Sequence, residues 1–491
     1  MSDNKNFKEG LKGTTLFGGV GMLNILISIV KSKLVAILLG PEGMGVLGLF
    51  NSSVDLINKG TNFSLRTSAV KDISAAYATN DSEKLSKTYS VFKKLITITG
   101  TFGLLVCACF SPYLSLTSFG NYSYTIPFVI LALSFPFLQF SDGLNVLMQG
   151  TRHLKLLAKS NVVGNVIALL SVIPIYYIFG ISGIVYTIVL GYFLHFLITY
   201  YYARKVEVDS MIVGLKQSFI EGKGMLKMGF FISLQSIFVA LSAYIVRAYI
   251  SNTASVDEVG LYTAGFYIIN TYTGLVFSGM STEYYPRLAS MAENNTKVFQ
   301  AVESQSILSI MLLAPLVCLL ILLGNLAIVI LYSEEFLSIT MMISISMLGV
   351  FFKAPSWCLG YVYLGKGDSK VYFWNELVAV IYTLFFNLFF YKLWGLTGMG
   401  VSFLLSYFIY WIQQITVCKL RYNYVFSFSF LKILCPQLLI AIICLICSTS
   451  DNWLIKYLLG GILIACSIVL SINILKKNVN FSIFKKIKKH E

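Results

Sequence analysis

Polar and charged side chains recur through an otherwise apolar stretch of this chain, MGVLGLFNSSVDLINKGTNFSLR at residues 44–66. Asn51, Asp55, Asn58 or Lys59, Asn62 and Arg66 stand three and four residues apart, which puts them on one face of a helix. Side chains of these types bind and steer charge. An ionisable residue inside a bilayer costs about 2.5–3.5 kcal/mol even on the lenient insertion scale, so the stripe is expected to face a bundle interior or a water-filled cavity. A helix lying on the membrane surface, or a polar seam that only glues helices together, would carry the same pattern.

The preceding apolar segment carries a second stripe, Asn24, Ser28 and Lys31, and is joined to the first by the turn Gly40-Pro41-Glu42-Gly43. Gly13, Gly18, Gly19 and Gly21 let another helix come close to it. Lys33 is nearer the outer end, where a long side chain can snorkel to the interface. Further along, Asp142, Arg247, Lys353 and Glu376 also fall inside apolar runs. Asp55, Asp142 and Glu376 are candidates for carrying a coupling proton, and Asp55 could instead orient Lys59 one turn away.

Of the 491 residues, 57% are hydrophobic and 12% charged, the composition of an all-α polytopic membrane protein. Apolar runs between residues 13 and 475 predict about fourteen spans, so both termini share a side. The net charge of +15 does not call for nucleic acid, because its distribution is membrane-like. Thirty of the 37 basic residues lie on the N-terminal side; only Lys392 and Lys456 lie on the other, and Lys31, Lys33, Lys59, Arg247 and Lys353 sit within spans. The positive-inside rule makes the termini and the segments at 66–94, 203–227 and 282–303 cytoplasmic. The basic tail from Lys476 to Lys489 is expected to rest on anionic lipid headgroups. Nine cysteines are scattered, and the one C-x-x-C pair, Cys444 and Cys447, lies inside an apolar run with no second pair or His beside it, so neither a metal site, a disulfide framework nor a cofactor is expected. The first span, interrupted by Lys31 and Lys33 and without a small-residue cleavage site, is expected to be retained.

Residues 31–200 match residues 246–415 at a constant shift of 215. Gly45 falls on Gly260, Gly150 on Gly365, Lys155 on Lys370, Gly180 on Gly395, Gly183 on Gly398 and Tyr192 on Tyr407, and FGISG at 179–183 answers WGLTG at 394–398. Two parallel six-helix repeats around a central cavity follow, with two appended helices. The expected boundaries are a bundle at 1–202, a cytoplasmic linker at 203–226, a second bundle at 227–418, and two extra helices with the tail at 419–491. Asp55 falls on Asn270, and Lys31 falls immediately before Arg247. Each repeat thus has a cation at nearly the same depth of its first helix, and the cavity is asymmetric and basic. The segment EYYPRLASM at 283–291 is expected to be a cytoplasmic loop in which Pro286 ends a helix.

With GPEGMGVLGLF at 40–50, YYPRLAS at 284–290 and the QG…K…FGISG run at 149–183, the chain resembles the bacterial polysaccharide flippases of the O-antigen translocase type. These belong to the multidrug/oligosaccharidyl-lipid/polysaccharide exporter superfamily. The resemblance implies a transporter, not an enzyme, in the bacterial cytoplasmic (inner) membrane, with spans 1, 2, 7 and 8 walling the cavity. It also implies a lipid-linked oligosaccharide on undecaprenyl diphosphate as cargo, with membrane lipids and polysaccharide polymerase machinery as partners. A diphosphate needs cations to cross a low-dielectric region, and Lys31, Lys59, Arg66 and Arg247 are the candidates, with Asn51, Asn62 and Asn270 beside them. No catalytic residue is assigned.

Two other classes compete. A drug or cation antiporter of the same fold should carry unpaired acids rather than a surplus of bases. A membrane-embedded glycosyltransferase or ligase should have a long outer loop with carboxylates or His, whereas the outer loops here are short, His153 is cytoplasmic and His195 lies in a span. The expected topology is tested by single cysteines placed at 216 and 488 in a Cys-free background. Neither should react with an impermeant thiol reagent in intact cells, and labelling of either would overturn the orientation.

Overall fold

The computed structural model describes residues 2–209 and 211–478; most of the basic tail lies outside the described residues. Seventeen α-helices account for nearly all of the described chain, with no strand among the described residues. This is what a hydrocarbon environment imposes, because every backbone N–H and C=O must be satisfied within its own segment. Among the described residues ten segments are long and apolar enough to cross a membrane, which does not confirm the expected count of fourteen. Three of the ten, Gly19–Thr61, Leu154–Ala203 and Ser369–Tyr422, each hold two helices separated by a break at a glycine.

The chain divides into two compact units, Met1–Thr263 and Ala264–Glu491. The first contains α1 (Ser2–Thr61), α2 (Leu65–Ala78), α3 (Ser82–Cys109), α4 (Ser111–Phe119), α5 (Thr125–Ala132), α6 (Ser134–Gly150), α7 (Leu154–Phe179), α8 (Gly183–Ala203), α9 (Leu215–Glu221) and α10 (Lys223–Thr253). Helix α1 packs on α7 and α10, α3 on α6, and α8 on both α6 and α7. The stretch after Arg66 forms an amphipathic helix, α2. Leu65, Ala69, Ile73 and Ala76 of α2 are buried at successive turns against Phe92, Leu95 and Leu147.

Helix α11 (Val256–Ser290) runs out of the first unit into the second. The second unit continues with α12 (Asn295–Leu322), α13 (Gly324–Leu331), α14 (Thr340–Gly365), α15 (Ser369–Tyr422), α16 (Phe428–Ser448) and α17 (Gly460–Asn478). Helices α16 and α17 pack on α12, and Gln437 joins them by donating to the Ser467 carbonyl at 3.2 Å and accepting from the Ser467 hydroxyl at 2.7 Å. The expected helix stop at Pro286 is not there: α11 continues to Ser290 with the proline inside it. The flanking turns are fixed from outside. Tyr284 is fully buried and donates to the Cys358 carbonyl at 3.0 Å, and Arg287 donates to Gln305 at 2.9 Å, which offsets the one hydrogen bond that proline cannot make.

The duplication is visible in the backbone. Gly180 and Gly395, 215 residues apart, break their helices at φ 55°, ψ −137° and φ 54°, ψ −136°, a region only glycine enters without strain. Gly40 bends α1 at φ 64°, and its counterpart position is the junction between α10 and α11. Around that junction the repeats meet reciprocally within the first unit. A Cβ on Gly45 would run into the carbonyl of Val256, one on Gly260 into the carbonyl of Pro41, and one on Gly48 would lie 2.7 Å from the Thr263 hydroxyl. Val256, Gly260 and Thr263 are the repeat mates of Pro41, Gly45 and Gly48. The crossing therefore has the self-complementary form of a two-fold contact.

Because the obstructing atoms are backbone, they cannot swing aside. Gly45→Ala and Gly260→Ala should each cost about 1–3 kcal/mol, the usual range for overpacking. Gly60→Ala, where a Cβ would meet nothing within 4 Å, should leave stability unchanged or slightly higher. Thermal unfolding of the detergent-solubilised variants checks both; equal melting temperatures for all three would refute the close crossing.

Candidate substrate-binding site

Asn51 and Asp55 are exposed, while Ser52, Ser53, Val54 and Ile57 between them are buried. One face of this part of α1 is therefore packed and the opposite face, one turn apart, is open and polar. Among the described residues Asp55 has no hydrogen bond or ion pair, and the one-turn pair with Lys59 is not formed. The adjacent Asn58 belongs to the packed side, where it accepts a hydrogen bond from Gln139 of α6 at 2.7 Å. Lys59 is half-buried.

The stripe ends sooner than its spacing suggests. The helix expected through residue 66 stops at Thr61, and Phe63 and Ser64 take left-handed conformations at φ 48° and 44°. Asn62 accounts for the stop: its side-chain oxygen accepts from the Ser64 N–H at 2.9 Å, a local bond that competes with helix continuation. Asn62 thus shapes a turn, and Arg66 opens α2 instead of continuing the face of α1. Arg66 pairs with Asp142 of α6 at 2.8 Å, its side chain 51% exposed and that of Asp142 21%.

Asp142 lies in the field of Arg66 and, more weakly, of Lys59. The Tyr192 hydroxyl of α8 is within electrostatic range of both Asp55 and Asp142, and His195 of Arg66. The first unit therefore gathers two bases, two acids and a phenol from four helices. Tyr192 is marked in sequence only by its match to Tyr407 in the repeat, and Gln139 carries no signal that would single it out.

Lys31 and Arg247 stand apart from that balanced cluster. Both are half-buried on α1 and α10, which pack together, and neither has an ion pair among the described residues. Arg247 donates to its own helix at the Ala243 carbonyl, 3.1 Å away, and lies 5.4 Å from the Tyr262 ring centre; its Nε is buried with no acceptor. The lower part of the Lys31 stripe is structural glue, since Asn24 accepts from Asn165 of α7 at 3.0 Å.

In the second unit Asn270 is exposed and accepts from Lys353 of α14 at 3.4 Å. Lys353 stood out in sequence as an intramembrane cation, but nothing there named its surroundings. Glu376 accepts a hydrogen bond from Tyr410 within α15.

Residues 34–341 match the family described as polysaccharide biosynthesis protein. No curated protein matches the chain in sequence. Among solved structures the chain is similar to the lipid II flippase MurJ in an inward closed conformation, with a TM-score of 0.70 at 13% identity over 95% of this chain and 99% of that one. It is also similar to a multidrug resistance MATE family transporter of the MOP superfamily in an inward-facing conformation, with a TM-score of 0.68 at 14% identity over 83% of this chain and 96% of that one. A MOP superfamily transporter from Pyrococcus furiosus gives 0.59 at 14% identity over 84% and 96%. At such identities the likeness establishes fold, while the family match covers most of the chain. The chain belongs to the polysaccharide biosynthesis protein family and has the multi-pass, all-helical fold of the MOP superfamily's flippase-type transporters.

Proposed function

We propose that this protein moves an oligosaccharide linked to undecaprenyl diphosphate from the cytoplasmic to the periplasmic leaflet of the bacterial cytoplasmic membrane by alternating access. The observation that carries the reading is the pair of half-buried cations without acid partners, Lys31 and Arg247, on packed helices of a chain from a polysaccharide biosynthesis family. A cation held in a low-dielectric region without a counter-charge is costly, and a diphosphate supplies the missing charge when cargo binds. Arg247 has donors in a fixed fork and Lys31 a mobile point charge, a combination suited to gripping one anionic group from two helices. Asn51, exposed on the same helix α1 that carries the half-buried Lys31, would meet the sugar hydroxyls.

The open carboxylate of Asp55 favours a second element, ion coupling, and is also the feature a cation antiporter of the same fold would need. In the flippase reading Asp55 exchanges a proton or cation during the cycle, while Asp142, already paired to Arg66, holds α2 against α6. Both termini and the linker between the bundles face the cytoplasm.

The test is complementation of a flippase-deficient strain with membrane protein quantified alongside. A charge-assisted contact to cargo is worth about 1.5–3 kcal/mol, so Arg247→Ala should lose about ten- to a hundredfold in cargo affinity and fail to export, at normal protein levels. Arg247→Lys should retain part of the activity, because the charge survives and the fork does not. Well-expressed, fully active Arg247→Ala and Lys31→Ala variants would sink the diphosphate grip. Cation export without polysaccharide export, abolished by Asp55→Asn, would establish the antiporter instead.

A further inference from the structure

Lys353 is a cation with no acid beside it. Among the described residues no carboxylate lies within ion-pair distance of its ammonium, whose hydrogen-bond partner is the neutral amide oxygen of Asn270, at a long 3.4 Å. Three aromatic rings take the place of an acid. The Nζ lies 5.8 Å from the ring centre of Phe277, 5.6 Å from that of Phe403 and 5.3 Å from that of Tyr407, all within the reach of a cation–π contact. The rings are fixed by one another and by neighbours: Phe403 and Tyr407 are 4.6 Å apart, Phe277 packs 5.1 Å from Trp357, and Phe266 lies 5.9 Å from Phe403. Helices α11, α14 and α15 all contribute, and all of these residues lie in the second unit.

The repeat shows that the fold does not make this box by itself. The mates of Lys353, Phe277 and Phe403 in the first repeat are Leu138, Asn62 and Ile188. Only Tyr407 keeps its type, as Tyr192, and Asn270 replaces Asp55. The second repeat therefore has two rings and a lysine where the first has none, and an amide where the first has an acid. Several aromatic faces around one ammonium are the recognition chemistry of alkylammonium and quaternary ammonium compounds. We infer that Phe277, Phe403, Tyr407 and Asn270 form an organic-cation site that the chain fills with its own Lys353, a specificity element that keeps alkylammonium compounds out.

The inference does not rest on the export reading, and its test does not use transport. Purified Lys353→Ala is titrated with butylammonium and tetramethylammonium, with butanol as the neutral control and sodium chloride at matched ionic strength. Calorimetry and thermal unfolding should show the two cations binding Lys353→Ala about tenfold or more tighter than wild type and raising its melting temperature, with no such effect of butanol. Adding Tyr407→Ala to Lys353→Ala should abolish the binding. Equal stabilisation by butanol and butylammonium would reveal only an apolar hole, and either that result, an absence of binding by folded Lys353→Ala, or equal binding by wild type overturns the proposal. If Lys353→Ala does not accumulate, Lys353→Arg and Lys353→Met decide. Arg, a cation that also stacks on rings, should accumulate like wild type and Met should not; Met at wild-type levels overturns the proposal.

Discussion

A bilayer core offers no water to replace a lost hydrogen bond or to screen a charge. Each backbone group must be paired within its helix, which leaves rods whose only freedom is where they break and how closely they approach. Glycine supplies both here. Gly40, Gly180 and Gly395 let the chain turn between helices at positive φ, and Gly45 and Gly260 let two backbones meet where any side chain would hold them apart. Without those breaks the rods could not form hairpins. Without the glycine crossing, the start of α11 could not lie against α1 in the first unit.

The same lack of screening sorts the intramembrane charges into three kinds. Arg66 is matched with an acid, Asp142, and serves to dock α2 on α6. Lys353 and Arg247 face aromatic rings, which stabilise a cation without neutralising it. Lys31 and Asp55 have neither kind of partner among the described residues. Charge left without an opposite charge in a folded membrane protein points to something that arrives and leaves, and in the first unit Lys31 and Arg247 lack an acid partner among the described residues while Asp55 lacks a base. The fold is shared with a lipid II flippase and with a multidrug resistance transporter, and the polyanionic cargo proposed above rests on these cations and on the family match.

Divergence between the repeats gives the molecule its chemistry. At the position of Asp55 and Asn270, one repeat presents an open acid and the other an amide bound to a lysine. Tyr192 and Tyr407 are repeat mates beside these two sites, one near carboxylates and the other against an ammonium.

Composition and pattern alone determined that the chain is helical and membrane-spanning, that it is duplicated at a shift of 215, and that a polar face runs through Asn51 and Asp55, because these depend on which side chains hydrocarbon tolerates and on helical periodicity. Of the glycines shared by the halves, Gly180 and Gly395 stand at breaks, and Gly45 and Gly260 at the close crossing. Tertiary structure decided what periodicity cannot encode. A three-to-four spacing carries on past residue 61 in sequence, but the Asn62 side chain bonds its own backbone and stops the helix, so Arg66 leaves the face and finds Asp142, 76 residues away. Pro286 reads as a stop and is held inside α11 by Tyr284 and Arg287, whose partners lie on α14 and α12. Lys353 reads as an unexplained charge until Phe277, Phe403 and Tyr407 come together from two other helices. The stop at Asn62 is a local bond that outcompetes the periodicity, while the partners of Arg66, of the turns around Pro286 and of Lys353 are distant in the chain, and local spacing carries no information about which distant group will be there.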